Sequence, residues 1–352
     1  MDLFETCDED SSLQLQSPIS FPNLPYFLRA IPVISCSKQS AIGDLLFQKH
    51  RMIFPLLIKA SHASEWPLNS RWNIDYLEDL SPPNPMQSGL PHFVKDDTVV
   101  DVLVAKDGRN FLKLDLCTTI SMNLKDALLI ILRSSSSSSS SFSSSSSSSS
   151  SFSYSSPPVE GLEQSRERLY CRFYLDSQPQ LVPDIDLDYF HALLASSHIM
   201  KTTYKDEIKL SNVGIWTSME GCVTPLHFDL CHGFLAQVMG TKRFYLAPPE
   251  DAPLLYLKKA SSEAVNPNTS RLDLSAWLEN HDGYEDEEKR SEMRRPFPNV
   301  EYVTWFIADL SPGDILYTPP GWFHHVTSTS TSVSVLIPCD PLPYEKLPFN
   351  LQ

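Results

Sequence analysis

From Asn212 onward, apolar and polar residues alternate over short runs: NVGIWTS, TPLHFD, GFLAQVMG, KRFYLAP, YVTWFIADL, DILYTP, WFHHVTS and SVSVLIP. A period of two puts alternate side chains on opposite faces, which is the pattern of a strand with one face in a core. Glycine and proline punctuate the runs at close spacing, so the chain reads here as an antiparallel sandwich or barrel. A polar stretch, Glu250 to Asn299, separates the fourth run from the fifth. Within it LDLSAWLENH (272–281) has a helical pattern, and GYEDEEKRSEMRR (283–295) is a charge run of the kind that usually forms a solvated loop.

Upstream the pattern is mixed. IPVISC and PLLIKA read as short strands, and AIGDLLFQKHRMIF (41–54) has helical spacing. TVVDVLVAKDGRNFLKLD alternates around a Lys-Asp-Gly turn, as a pair of strands would. MNLKDALLIILR predicts a helix capped by Asn123 or Ser121, and DIDLDYFHALLA a short helical approach to the strand series. Residues 1–25 are acidic and serine-rich, and 134–158 are nearly pure serine. Neither segment carries enough apolar surface to offset the entropy of ordering. The expected organisation is a disordered tail over 1–25, an α/β part over 26–133 packing on the barrel, a disordered insertion over 134–158, and a barrel domain over 159–345.

Charge and cysteine usage narrow the partners. A net charge of −15 over 352 residues argues against nucleic acid as the main partner and makes a basic peptide the easier macromolecular match. Seven scattered cysteines with no C-x-x-C pair fit neither a disulfide framework nor a zinc knuckle. The start, MDLFETCDEDSS, lacks the basic-then-apolar pattern of a leader, and no apolar run is long enough to cross a bilayer. The expectation is an intracellular protein, cytoplasmic and/or nuclear, without a membrane partner. Oligomeric state is not legible.

The chemistry concentrates in two motifs. In Gly221-Cys-Val-Thr-Pro-Leu-His227-Phe-Asp229, the histidine and the aspartate are two apart and would project together from one strand. In Gly313-Asp-Ile-Leu-Tyr-Thr-Pro319-Pro-Gly321-Trp-Phe-His324, a second histidine follows. Two histidines and one carboxylate form the facial set of non-haem Fe(II) oxygenases, which leaves adjacent metal positions open. A structural zinc site would want a fourth protein ligand. His325 would point away from His324, while His232 and His281 read as surface or supporting residues.

The first motif matches the opening of the first cupin pattern, G-x5-H-x-[HDE]. The second matches the second cupin pattern, G-x5-P-x-G-x2-H. Together with SMEGCVTPLHFDLCHGFLAQVMGTKRFYLAPPED, they make residues 160–340 resemble the Jumonji C family of Fe(II)- and 2-oxoglutarate-dependent oxygenases, the asparaginyl and arginyl hydroxylases and the tRNA wybutosine hydroxylase among them. Residues 31–132 resemble that family more loosely. Because the resemblance continues on both sides of the serine tract, the tract reads as an insertion and not a boundary.

The resemblance implies a mainly β fold with flanking helices, built as a double-stranded β-helix (jelly-roll or cupin) barrel. It implies Fe(II) on His227, Asp229 and His324, and 2-oxoglutarate held by Lys242, Thr224 and Tyr170. It further implies hydroxylation of a protein side chain, or demethylation where the carbon is an N-methyl group, with release of succinate and carbon dioxide. The alternatives are a tRNA-base hydroxylase and a catalytically inactive cupin that serves as a binding module. Two positions depart from the family: Gly233 stands where several relatives place asparagine, and Leu336 where they often carry asparagine or serine.

Overall fold

The structure is a computed structural model that describes residues 28–34, 53–59, 61–68, 98–105, 117–134, 167–190, 208–258, 268–283, 295–341 and 345–347. The expected acidic tail, the serine tract beyond Ser134, the Lys-Asp-Gly turn and residues 284–294 of the charge run lie outside these residues. So does the helix expected over 41–54, apart from Ile53 and Phe54, which are not helical.

Each of the eight alternating runs contains a strand. These are β7 (Gly214–Ser218), β8 (Val223–Phe228), β9 (His232–Met239), β10 (Lys242–Ala247), β11 (Phe306–Leu310), β12 (Ile315–Thr318), β13 (Phe323–Ser328) and β14 (Ser332–Cys339). Before them come β1 (Arg29–Ala30), β2 (Val33–Ile34), β3 (Leu56–Ile58), β4 (Val99–Ala105), β5 (Cys117–Asn123) and β6 (Arg168–Tyr174). Helix α1 (Leu124–Arg133) follows β5, and α2 (Leu274–Gly283) lies between β10 and β11.

The strands form two sheets. The smaller has the order β1-β11-β10-β13-β8 and the larger the order β2-β3-β12-β9-β14-β7-β6-β4-β5. From β7 to β10 each strand crosses to the other sheet, and β11 to β14 repeat the exchange. That winding is the jelly-roll, or double-stranded β-helix, arrangement. The upstream strands extend both sheets: β1 joins the edge of the smaller one, while β2–β3 and β6-β4-β5 lengthen the two ends of the larger.

Three apolar layers follow. Phe244, Leu246, Phe306, Ala308 and Leu310 from the smaller sheet meet Leu57 and Leu316 from the larger around Trp322. Helix α1 and Phe190 cover the outer face of the larger sheet, and Trp277 of α2 with Trp305 covers that of the smaller. The turns that bring strands back require glycine in places. Gly240, between β9 and β10, has φ of +67°, and a Cβ there would lie 2.0 Å from the Thr331 carbonyl oxygen, closer than any side chain tolerates.

Helix α1 buries Leu124, Ala127, Leu128, Ile131 and Leu132, the i, i+3, i+4 stripe its sequence predicts. Its first turn is closed by Asn123, whose Oδ1 accepts the Lys125 N–H at 2.8 Å. The other expected cap, Ser121, instead donates to Asp101 at 2.8 Å. Asn123→Ala should therefore lower unfolding free energy by about 1 kcal/mol, read as a shift in the urea midpoint. Ser121→Ala should shift it much less. Among the described residues, no helix is long and apolar enough to cross a membrane.

Candidate functional site

His227 lies at the end of β8 and His324 near the start of β13, and the two are direct partners in that antiparallel pair. Their rings sit 4.1 Å apart between centroids. Asp229 falls one residue beyond the end of β8, not within the strand as expected, and remains on the same side. The turn before β13 holds it there: Gly321, with φ of +81°, donates its N–H to the Asp229 carbonyl at 2.7 Å. The glycine of the second motif thus has a structural task, tying the third ligand to the strand of the first two.

The histidine tautomers are fixed by backbone carbonyls. His227 Nδ1 lies 2.8 Å from the Pro225 carbonyl oxygen and His324 Nδ1 3.1 Å from that of Trp322. A carbonyl oxygen can only accept, so both Nδ1 atoms carry protons, and in the neutral ring Nε2 is the nitrogen left to bind a metal. Burial, with His324 alongside, lowers the His227 pKa to about 4, so its ring is neutral at pH 7. One ligand atom from each of His227, Asp229 and His324 lies within 4.8 Å of the other two. Asp229 Oδ2 is 3.7 Å from His324 Nε2. A carboxylate oxygen and an imidazole nitrogen at this separation can be bridged by a proton or by a metal cation. The donor set fits a divalent metal.

Tyr170 on β6, Thr224 on β8 and Lys242 on β10 line the same cavity of about 880 Å³ as the three ligands. The Tyr170 and Thr224 side chains hydrogen-bond to each other, and burial raises the Tyr170 pKa above its ordinary value. Lys242 is 4% exposed, and among the described residues its ammonium has no hydrogen-bond or ion-pair partner. Burial lowers its pKa to about 8. A buried cation that shares a cavity with two hydroxyls, and has no ion-pair partner among the described residues, could hold a carboxylate. The two departures from the family also meet in this cavity. The position of a Cβ on Gly233 is 3.7 Å from Leu336 Cδ1, so this wall is apolar where an amide was the alternative.

Other sequence readings fare unevenly. His325 does point away from the ligands: its Nε2 lies 3.0 Å from Ser275 Oγ of α2. Its Nδ1 is buried without a partner, and burial lowers its pKa to about 3. His232 is not a surface residue. It is fully buried, with Nδ1 at 2.9 Å from the Tyr317 hydroxyl and Nε2 at 3.1 Å from Glu345. A strand start buried under the returning C-terminal segment cannot be read locally. The side chain of His281 lies outside the described residues. Cys231 also lines the cavity, and burial pushes its thiol up to about 12, so it is a protonated thiol in the metal-free protein.

Sequence reasoning missed part of the wall. Asn268 and Thr269 belong to the polar stretch between the fourth and fifth runs, where no strand pairing was expected, yet Thr269 pairs with His227 in an isolated bridge. Phe228 N–H donates to the Asn268 carbonyl at 3.1 Å, and Ser270 N–H to that of Leu226 at 2.8 Å. Arg172, Tyr174 and Trp216 line the outer part of the cavity. Alternation along β6 (Tyr170, Arg172, Tyr174) was the available signal for the first two.

Comparison with known proteins agrees with this geometry. The family pattern described as a cupin-like domain matches residues 52–337. The chain is 30% identical over 161 residues to JmjC domain-containing protein F of Dictyostelium discoideum, covering 46% of this chain and 33% of that protein. It is 36% identical over 124 residues to Jumonji C domain-containing protein 5 of Drosophila melanogaster, covering 35% and 26%. It is 29% identical over 179 residues to human tRNA wybutosine-synthesizing protein 5, covering 51% and 49%. The matches thus span from about a quarter to half of the length of these relatives.

Proposed function

Because this chain belongs to the cupin-like, JmjC-type domain family, we propose that it is an Fe(II)- and 2-oxoglutarate-dependent oxygenase that hydroxylates a protein side chain. Demethylation is the same reaction on an N-methyl carbon. The observation that carries this reading is the buried ammonium of Lys242, which has no partner among the described residues, in the cavity of the three metal-type ligands. A fold has no need of an unpaired buried cation, which is costly to keep. A dicarboxylic cosubstrate would supply what it lacks.

In this reading His227 and His324 offer neutral nitrogen donors, and Asp229 offsets one positive charge of the metal. When bound, iron and 2-oxoglutarate supply the oxidising chemistry, yielding succinate, carbon dioxide and one oxygen atom for the substrate C–H bond. Lys242 takes the far carboxylate in a charge-assisted pair, with the Thr224 and Tyr170 hydroxyls beside it. Leu336 and Gly233 give the cavity an apolar wall that excludes water from the reacting carbon. The test is succinate release from 2-oxoglutarate by the iron-loaded protein under oxygen. Absence of release over the buffer rate, with iron bound, would sink the reading.

A pH dependence follows. Lys242 binds a carboxylate only when protonated, and its pKa in the free protein is lowered to about 8. Affinity for 2-oxoglutarate is therefore flat below pH 8 and falls about tenfold per unit above it, measurable by calorimetric titration. Lys242→Arg should remove that dependence.

The second reading is a tRNA-base hydroxylase, favoured by the alignment with human tRNA wybutosine-synthesizing protein 5, which spans 51% of this chain. Against it, Arg172 and Lys242 are the only cations among the described residues that line the cavity. Phosphate binding rests on several such contacts. Salt-sensitive binding of tRNA by the purified chain would favour this second reading over the first.

A further inference from the structure

The larger sheet overhangs the smaller one on the side of β6, β4 and β5, and the overhang carries an assembly that none of the proposed chemistry uses. Arg172 on β6 is exposed and pairs directly with Trp216 on β7. Its guanidinium carbon lies 5.1 Å from the centre of the Trp216 ring and 5.4 Å from that of Tyr174. Trp216 is itself fixed: its ring meets Tyr170 edge-on at 5.6 Å. Its Nε1 would be 2.9 Å from a Cβ on Gly214, so only glycine there lets the indole lie flat. Two aromatic faces hold the planar guanidinium, while its N–H groups have no hydrogen-bond or ion-pair partner among the described residues.

The neighbouring charges do not neutralise it. Asp101, on the adjoining strand β4, also lines the cavity but accepts the Ser121 hydroxyl at 2.8 Å and makes no ion pair with Arg172. Lys242, at 4% exposure, lies deeper, and Asp229 belongs to the proposed metal site. At the mouth, Arg172 is therefore the one cation among the described residues, preoriented along its edge toward a bidentate acceptor. A nucleic-acid backbone would want a row of cations, and a basic peptide would be repelled here. A single planar cation framed by aromatics fits one carboxylate.

We propose that Arg172, clamped between Tyr174 and Trp216, is a specificity residue that receives the carboxylate of an Asp or Glu side chain of a peptide substrate, close in sequence to the residue that enters the cavity. The inference deepens the proposed function and rests on it for reading the cavity as a substrate site. It also replaces the expectation of a basic peptide, drawn from net charge alone, with an acidic residue at one fixed offset. Net charge averages over the surface; the mouth is decided by one side chain.

The test uses the full chain, loaded with Zn(II) and 2-oxoglutarate, and three oriented pools of short peptides with Arg, Asn or Lys fixed at the centre. Peptides retained by the protein should be enriched about fivefold or more in Asp and Glu at one or two offsets. Arg172→Gln should flatten that enrichment, and Arg172→Glu should invert it toward Lys and Arg, with the melting temperature unchanged in both. No enrichment, no retained peptide, or the same enrichment in Arg172→Glu would overturn the proposal. So would a labelled single-stranded oligonucleotide that binds more tightly than the selected acidic peptide through Arg172. Succinate release is measured separately: an Arg172-dependent preference without any release supports the mouth while defeating the oxygenase reading.

Discussion

Replacing His227 by alanine is expected to abolish retention of the metal and, with it, all oxygen-dependent succinate release. The expectation follows from the ligand count. Three protein donors converge within 4.8 Å, and two donors do not hold a divalent ion through dialysis. Loss of even a supporting hydrogen bond typically weakens a metal site by about 10- to 100-fold, and loss of a ligand exceeds that. His324→Ala should behave alike. His325→Ala is the control: its ring faces Ser275 of α2 and not the ligands, so metal content should stay at the wild-type level. Elemental analysis after dialysis reads the result. A His227→Ala protein that keeps one equivalent of iron would refute the assignment.

Lys242→Met is expected to separate cosubstrate binding from metal binding, and to do so with an unusual companion effect on stability. Removing one partner of a buried, charge-assisted pair costs about 2–5 kcal/mol. Affinity for 2-oxoglutarate should thus drop by roughly 30- to several thousand-fold, with metal content unchanged. The free protein, however, should become more stable at pH 7. The Lys242 pKa is lowered from 10.5 to about 8 by burial, so the folded state penalises its protonated form. The penalty is full below pH 8 and fades as pH climbs toward 10.5, since over that window the unfolded chain holds the proton more tightly. Lys242→Met removes the penalty at every pH, and the variant's advantage should vanish near pH 10.5. Thermal unfolding of the metal-free proteins at pH 7 and pH 10 reads both limbs. Equal stability at pH 7 would mean that a partner for the ammonium exists in solution.

These two experiments bear on different links of the chain from sequence to function. The candidate ligands were legible because each motif is local: His227 and Asp229 are two apart, and Gly321 precedes His324 within one turn. The roles of Lys242, Thr224 and Tyr170 came from resemblance, since no periodicity tells a cavity lysine from a strand-end lysine. The structure brings all three to the wall that holds the ligands. Arg172 shares the alternation of Tyr170 and was passed over, because an arginine on an exposed strand position ordinarily means solvent.

By itself, the sequence determined where the strands after Asn212 lie, which face of α1 is apolar, and that two short motifs carry metal-type donors. All of these depend on residues a few positions apart, where backbone periodicity and side-chain reach do the deciding. Only the tertiary structure decided which strands pair. It set β6-β4-β5 as an overhang, zipped Asn268–Ser270 onto β8 beside His227, and buried His232 under Glu345. Those outcomes depend on register between segments tens of residues apart, fixed by packing of both sheet faces together and not by the pattern of either strand alone.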